Sequence, residues 1–270
     1  MGHSATLFVM KKAIFAAAKG LVRDFGELDK LHVSKKGTAN FVTNADTRTE
    51  RILREELSKA RKGYGFLLEE GGEIPGDNPN FRWVIDPLDG TSNFIHAIPY
   101  FCISVALQQK RASGQWASIA AAVYDPIHDE MFTAEDVEGG ETLLNDFRVK
   151  TSERTEEWLV GTNAPRKWHS DYELALRRME AVTSSGATIR CSGAAALDCA
   201  YVAAGRLDGL WYHSLSPWDI AAGELLVRAA GGRVQEIGGG ENMVATGSVV
   251  ATNRHIHEPL QNLLVPAEAA

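Results

Sequence analysis

Cysteine is scarce in this chain: three among 270 residues, Cys102, Cys191 and Cys199. An odd number without a framework spacing excludes a disulfide scaffold or a zinc knuckle and reads as reduced core thiols of a cytoplasmic protein. No stretch approaches the roughly 20 apolar residues of a membrane helix. The opening MGHSATLFVMKKAIFAAAKG is interrupted by Lys11 and Lys12. It lacks the charged-then-apolar order of a secretion signal and reads as an amphipathic helix, with Met1–Ser4 carrying no weight. Basic residues are outnumbered 28 to 35, for a net charge of −7. That excludes the electrostatic footprint of a nucleic-acid or anionic-membrane binder. It also supplies no global attraction for an anionic substrate, so an anion site must be built locally. Repeats and low-complexity tracts are absent.

What is present is an ordinary globular composition, 44% hydrophobic and 23% charged, long enough for one large domain or two tightly joined lobes. Apolar periodicity predicts helices over 5–23 and from Asn44, the latter capped by Thr43 and stopped near Gly63. Strands are predicted over 64–68 and 81–85, with Pro87 ending the second, and strand-like runs dominate from 102 to 132. This N-terminal α+β lobe, about 5–152, reads as an antiparallel sheet covered by the first helices. From 153 to 270 the rhythm alternates: strands at 158–161, 188–191, 207–211, 232–235 and 247–251, helices at 170–182, 194–204, 217–230 and 254–264. Alternation predicts a helix-covered, mainly parallel sheet, with a cleft between the lobes. Trp83, Trp116, Trp158 and Trp211 fall in strand-like runs and read as core. His32, His128, His169, His255 and His257 lack zinc spacing and read as surface.

The chemistry concentrates in acids at element ends. Asp86-Pro87-Leu88-Asp89-Gly90-Thr91-Ser92-Asn93 follows the apolar run Trp83-Val84-Ile85. Two carboxylates and the Leu88 carbonyl supply the oxygen ligands that Mg²⁺ requires, and the amides of Gly90 and Thr91 suit a phosphate. Taken alone, the segment is equally a strand-to-helix turn with Asp89 as N-cap. Glu69-Glu70 ends a second apolar strand, which would bring these acids to Asp86 if the strands are neighbours. Asp219, in Ser216-Pro217-Trp218-Asp219, and Asp46, after Thr43, each also fit a capping box.

Together VTNADTRTE (42–50), LLEEG (67–71), WVIDPLDGTSNFIHAIPYFCISVAL (83–107) and WDIAAGELLVRAAGG (218–232) resemble the inositol monophosphatase family, in its order and spacing. The last motif lies particularly near the bacterial extragenic-suppressor branch, SuhB. The resemblance implies a layered αβαβα sandwich, an α+β or α/β fold, assembled as a homodimer. It implies a lithium-sensitive, Mg²⁺-dependent phosphomonoesterase with two to three ions per subunit. Glu69, Asp86 and the Leu88 carbonyl would hold one ion, and Asp86, Asp89 and Asp219 a second. A third site would lean on Glu69. Thr91, linked to Asp46, would orient the attacking water, and Glu70 would support it. Gly90, Thr91 and Ser92 would bind phosphate, and Gly193, Ala195, Asp219 and Tyr212 would face the alcohol. Lys35 or Lys36 would approach the water or phosphate, and His96 follows the phosphate turn.

Three departures from the family pattern are visible. Leu68 replaces a glycine, which would alter packing more than ligation, and Ser92 replaces a threonine while keeping the hydroxyl. Tyr212 stands where a glutamate usually meets substrate hydroxyls, so phosphatase chemistry is firmer than inositol specificity. Inositol monophosphate, other sugar or polyol phosphates, fructose 1,6-bisphosphate and NADP stay open, with Tyr212 offering a surface for a base or sugar. The SuhB branch implies a different role, a regulatory protein binding the transcription machinery.

Overall fold

The computed structural model describes residues 4–27, 33–37, 40–168 and 171–265, with the backbone alone over 33–37 and 40–42. Helix α1 (Ala5–Phe25) buries Leu7, Met10, Ile14, Ala17, Ala18 and Leu21, one stripe at helical spacing. Ser4 is its N-cap: the Oγ accepts the amides of Thr6 and Leu7, both at 3.2 Å, so this residue does carry structural weight. Strands β1 (Val33–Gly37) and β2 (Asn40–Thr43) form an antiparallel hairpin that periodicity did not announce. Helix α2 (Asn44–Ala60) starts on the Thr43–Asp46 capping box.

Next come β3 (Tyr64–Leu68), β4 (Gly72–Ile74), β5 (Asn78–Asp89), the short helix α3 (Thr91–Ile95), β6 (Cys102–Lys110), β7 (Trp116–Asp125), β8 (Glu130–Glu135), β9 (Thr142–Leu144) and β10 (Phe147–Val149). Their eight-stranded sheet has the order β10-β9-β8-β7-β6-β5-β3-β4. Every pairing is antiparallel except β3 with β5. The remainder is β11 (Leu159–Gly161), α4 (Tyr172–Ser184), β12 (Thr188–Arg190), α5 (Ala195–Ala203), β13 (Gly209–Tyr212), α6 (Pro217–Ala229), β14 (Arg233–Gln235), α7 (Met243–Thr246), β15 (Val249–Thr252) and α8 (His257–Leu264). In the second sheet, β12-β11-β13-β15-β14, the expected parallel arrangement holds for β12, β11, β13 and β14. β15 inserts antiparallel between β13 and β14, because the connection through α7 is a reversal and not a long crossover helix.

Period-2 burial sorts the side chains into layers. Trp83 and Ile85 face the α1/α2 side, whereas Val84 faces α5 and α6. Leu210 and Tyr212 meet α5 and α6 from the second sheet, and Trp211 turns to Val182, Leu260 and Leu264 of α4 and α8. The result is the expected αβαβα sandwich. Among the described residues no helix is long and apolar enough to cross a membrane.

Some local expectations change. Trp83 and Trp211 are core, but Trp116 and Trp158 are half-buried, with the Arg82 guanidinium 4.3 Å from the Trp116 ring. Cys191 is exposed, unlike buried Cys102 and Cys199. His257 is buried between Thr252 and Gln235, at 2.9 Å from each. The amphipathic face of α8 turns its first residue inward, overriding the polarity of the side chain. His32 and His169 lie outside the described residues.

Candidate metal centre

β5 does not end at Pro87; it runs to Asp89, and the ladder with β6 breaks between Asp86↔Ser104 and Asp89↔Cys102. Proline has no N–H to donate, so the interruption falls where it stands. Three steps along β5 match two along β6, which is the signature of a bulge. In a regular strand, residues three apart point to opposite faces. The extra residue cancels that alternation, so Asp86 and Asp89 serve one site.

The parallel pairing of β3 and β5 sets Leu68 opposite Ile85, so Glu69, just past the end of β3, stands beside Asp86. Asp219 arrives from the first turn of α6, where the Ser216 amide donates to its Oδ2 at 2.8 Å. Carboxylate oxygens of Asp86, Asp89 and Asp219 all lie within 4.8 Å of one another. Asp46 stands behind Thr91: its Oδ2 accepts the Thr43 amide at 2.9 Å, while Oδ1 accepts the Thr91 hydroxyl at 3.3 Å. The same hydroxyl reaches the Leu88 carbonyl at 3.1 Å. Capping and site geometry are therefore compatible for both: one oxygen of Asp46 caps while the other meets Thr91, and Asp219 caps while standing beside Asp86 and Asp89.

Electrostatically the cluster is frustrated. Burial above all, then repulsion from Glu70 and Asp219, pushes the Glu69 carboxyl up to about 7. Burial and then the neighbouring acids raise Asp86 and Asp89 well above the ordinary carboxylate range. Burial lifts Asp219 to about 6, opposed by the Ser216 amide. Glu69 Oε2 is buried with no hydrogen-bond partner. An orphaned carboxylate oxygen beside three converging acids is a donor set of hard oxygens that fits a divalent cation such as Mg²⁺.

The turn after β5 depends on Gly90. Its φ is +95°, and a Cβ there would stand 3.0 Å from the Tyr100 carbonyl and 3.2 Å from Ala194 Cβ. The segment 192–196 is thus packed directly on the turn, and Gly193 (φ +86°) makes the same close approach to the Asn93 amide. Ala195 is buried at the start of α5. Ser92 is exposed, and its carbonyl lies 2.7 Å from His96 Nδ1. Leu68 is fully buried in the core, so its effect is one of packing. Tyr212 is buried on β13 and its hydroxyl donates to Asp198 Oδ2 at 2.6 Å. A ring with 3% exposure has no open face on which a base or sugar could stack. The side chains of Lys35 and Lys36 lie outside the described residues.

Three residues given no role in the sequence reading are central here. Glu50 accepts the Glu70 amide at 2.8 Å; its spacing of four from Asp46 on α2 was the available signal. Asn93 donates to the carbonyls of Tyr100 and Ser192, at 2.7 and 2.8 Å. Asp198 is fully buried in an otherwise apolar α5, a placement that itself announces a polar partner.

The inositol monophosphatase family matches residues 4–268. An inositol-1-monophosphatase of Rhizobium meliloti (strain 1021) is 46% identical over 266 residues, covering 98% of this chain and 97% of its own. The Nus factor SuhB of Escherichia coli (strain K12) is 38% identical over 249 residues, covering 90% and 91%. The crystal structure of extragenic suppressor protein suhB from Bartonella henselae superposes with a TM-score of 0.91 at 43% identity, covering 97% of this chain and 98% of its own. The chain belongs to the inositol monophosphatase family.

Proposed function

We propose that the protein is a Mg²⁺-dependent phosphomonoesterase acting on inositol monophosphate or a similar small sugar or polyol phosphate. The observation that carries this reading is the convergence of Asp86, Asp89 and Asp219 at the β5 bulge, in a chain similar to proteins named inositol-1-monophosphatase. Glu69, Asp86 and the Leu88 carbonyl would hold one ion; Asp86, Asp89 and Asp219 would hold a second; a third would lean on Glu69. When bound, such ions lower the pKa of water and neutralise charge on phosphate and leaving alkoxide.

The residues of the chain do the rest. The Thr91 hydroxyl donates to Asp46 or Leu88, so toward the cleft only its lone pairs are free. It therefore accepts a hydrogen bond from the attacking water and points the water's own lone pair at phosphorus. Amides of Gly90 and Thr91, with the Ser92 hydroxyl, hold phosphate oxygens. Glu70 supports the water from behind. Gly193 and Ala195 line the alcohol side, with Tyr212 acting from behind that wall through Asp198. Fructose 1,6-bisphosphate and NADP are the alternative substrates of the same scaffold. Li⁺ is expected to inhibit by replacing Mg²⁺ at the second site. The protein would work in the cytoplasm as a homodimer.

Phosphate release from a panel of these esters, with and without Mg²⁺, tests the reading. Asp86→Asn retaining full activity would sink it. The similarity to the Nus factor SuhB favours a second reading, a regulatory protein that binds the transcription machinery. Capture of RNA polymerase subunits by both the wild type and catalytically dead Asp86→Asn would support that role.

A further inference from the structure

Helix α5 has no cap of its own. Ala194 occupies the N-cap and supplies no side-chain hydrogen bond, leaving the first-turn amides without a local acceptor. The Ala196 amide instead donates to Asp89 Oδ2 at 2.7 Å, across 107 residues of sequence. The carboxylate proposed as a metal ligand is therefore also the cap of α5. Where α5 sits decides where Asp89 points.

Asp198, two residues after Ala196, is what fixes α5. Its carboxylate is fully buried. Oδ1 accepts the Tyr100 hydroxyl, from the segment following α3. Oδ2 accepts the Tyr212 hydroxyl at 2.6 Å, from β13. Room for that oxygen comes from Gly161 on β11: a Cβ there would stand 2.8 Å from Asp198 Oδ2. Asn93 closes the loop by donating to Tyr100 and to Ser192, just ahead of α5. The second sheet and the segment between α3 and β6 are thus tied to one carboxylate, and no residue in this unit is itself a proposed ion ligand.

We infer that Asp198 is a positioning residue for the metal centre, gripping Tyr100 and Tyr212 so that the Ala196 amide holds Asp89 in its ion-binding orientation. This rests on the metal-dependent reading above and adds to it a residue acting from outside the ligand set. Tyr212 belongs to this device: its hydroxyl is spent on Asp198, and its contribution to catalysis passes through α5.

Calorimetric titration of the full chain with Mg²⁺ alone, beside thermal unfolding of the metal-free protein, tests the inference. Asp198→Asn keeps the shape but offers one acceptor where two hydroxyls need one each, and is expected to weaken Mg²⁺ binding about tenfold. Tyr212→Phe, which deletes a single hydroxyl, is expected to weaken it a few-fold, and decides the matter if Asp198→Asn does not fold. Gly161→Ala, crowding the same oxygen, is expected to follow Asp198→Asn. A role in folding alone would lower the melting temperature and leave the Mg²⁺ affinity unmoved. Affinities within twofold of wild type in folded Asp198→Asn or Tyr212→Phe overturn the inference. A wild-type chain that binds Mg²⁺ but releases no phosphate from any ester overturns the phosphatase reading and leaves this inference standing.

Discussion

Glu50 Oε2 accepts the backbone N–H of Glu70 at 2.8 Å, linking the second turn of α2 to the turn that follows β3, next to Glu69. Gly71 allows the approach, since a Cβ there would stand 3.0 Å from Glu50 Oε1. The carboxylate thus holds the Glu69-Glu70-Gly71 turn from outside. Glu50→Ala is expected to raise the Mg²⁺ concentration for half-maximal activity about tenfold, with Glu50→Gln milder because it keeps an acceptor. Mg²⁺-activation curves for the two variants check this, and coincident curves would count against it.

Removing one charge from the acid cluster separates stability from function. Asp86→Asn is expected to lower kcat at least a hundredfold while leaving the metal-free melting temperature equal to or above wild type. Burial and like charges already disfavour ionised Asp86, so a neutral isostere relieves repulsion. A large fall in the melting temperature would show that the carboxylate is structural.

Ion binding should stabilise the fold by mass action. Chelation is expected to abolish activity, and Mg²⁺ at a hundred times its dissociation constant should add about 2.7 kcal/mol to stability. Thermal unfolding across a Mg²⁺ series measures this directly. No shift in a protein that remains active would place the ions elsewhere.

Thr91→Ala removes the acceptor proposed to orient water and leaves the turn's amides in place. A loss of about a hundredfold in kcat with little change in KM is expected. Thr91→Ser should recover most of it, because the hydroxyl and its bonds to Asp46 and Leu88 can re-form. A rise in KM alone would assign Thr91 to ground-state binding.

His257 gives the fold a pH dependence of its own. Burial first, then the Arg233 charge, holds its pKa down to about 4 from the ordinary 6.5. A group depressed in the folded state contributes fully above the unfolded value and loses its contribution as pH falls. Stability should therefore drop as the pH falls from 6.5 toward 4. His257→Gln should flatten that part of the melting-temperature profile, and parallel profiles would refute the assignment.

The sequence by itself determined most of the elements and singled out the acids at their ends. Apolar periodicity set α1 and α2, and capping chemistry set the starts of α2 and α6. Asp46, Glu69, Asp86, Asp89 and Asp219 stood out as acids at element ends, and the resemblance to the family gave them their proposed roles. Pro87 marked where the ladder with β6 would fail, but local rules read it as a strand end, since a bulge exists only relative to the partner strand. The β1–β2 hairpin and the inward turn of His257 escaped for the same reason: short strands and buried polar groups are settled by what packs against them. Only the tertiary structure decided that β3 and β5 are parallel neighbours, that Asp89 caps a helix 107 residues away, and that Tyr212 spends its hydroxyl on Asp198. Periodicity reports which face of an element is buried. The partner across the interface, and hence the hydrogen bond each buried acid must make, is fixed by the packing of the layers.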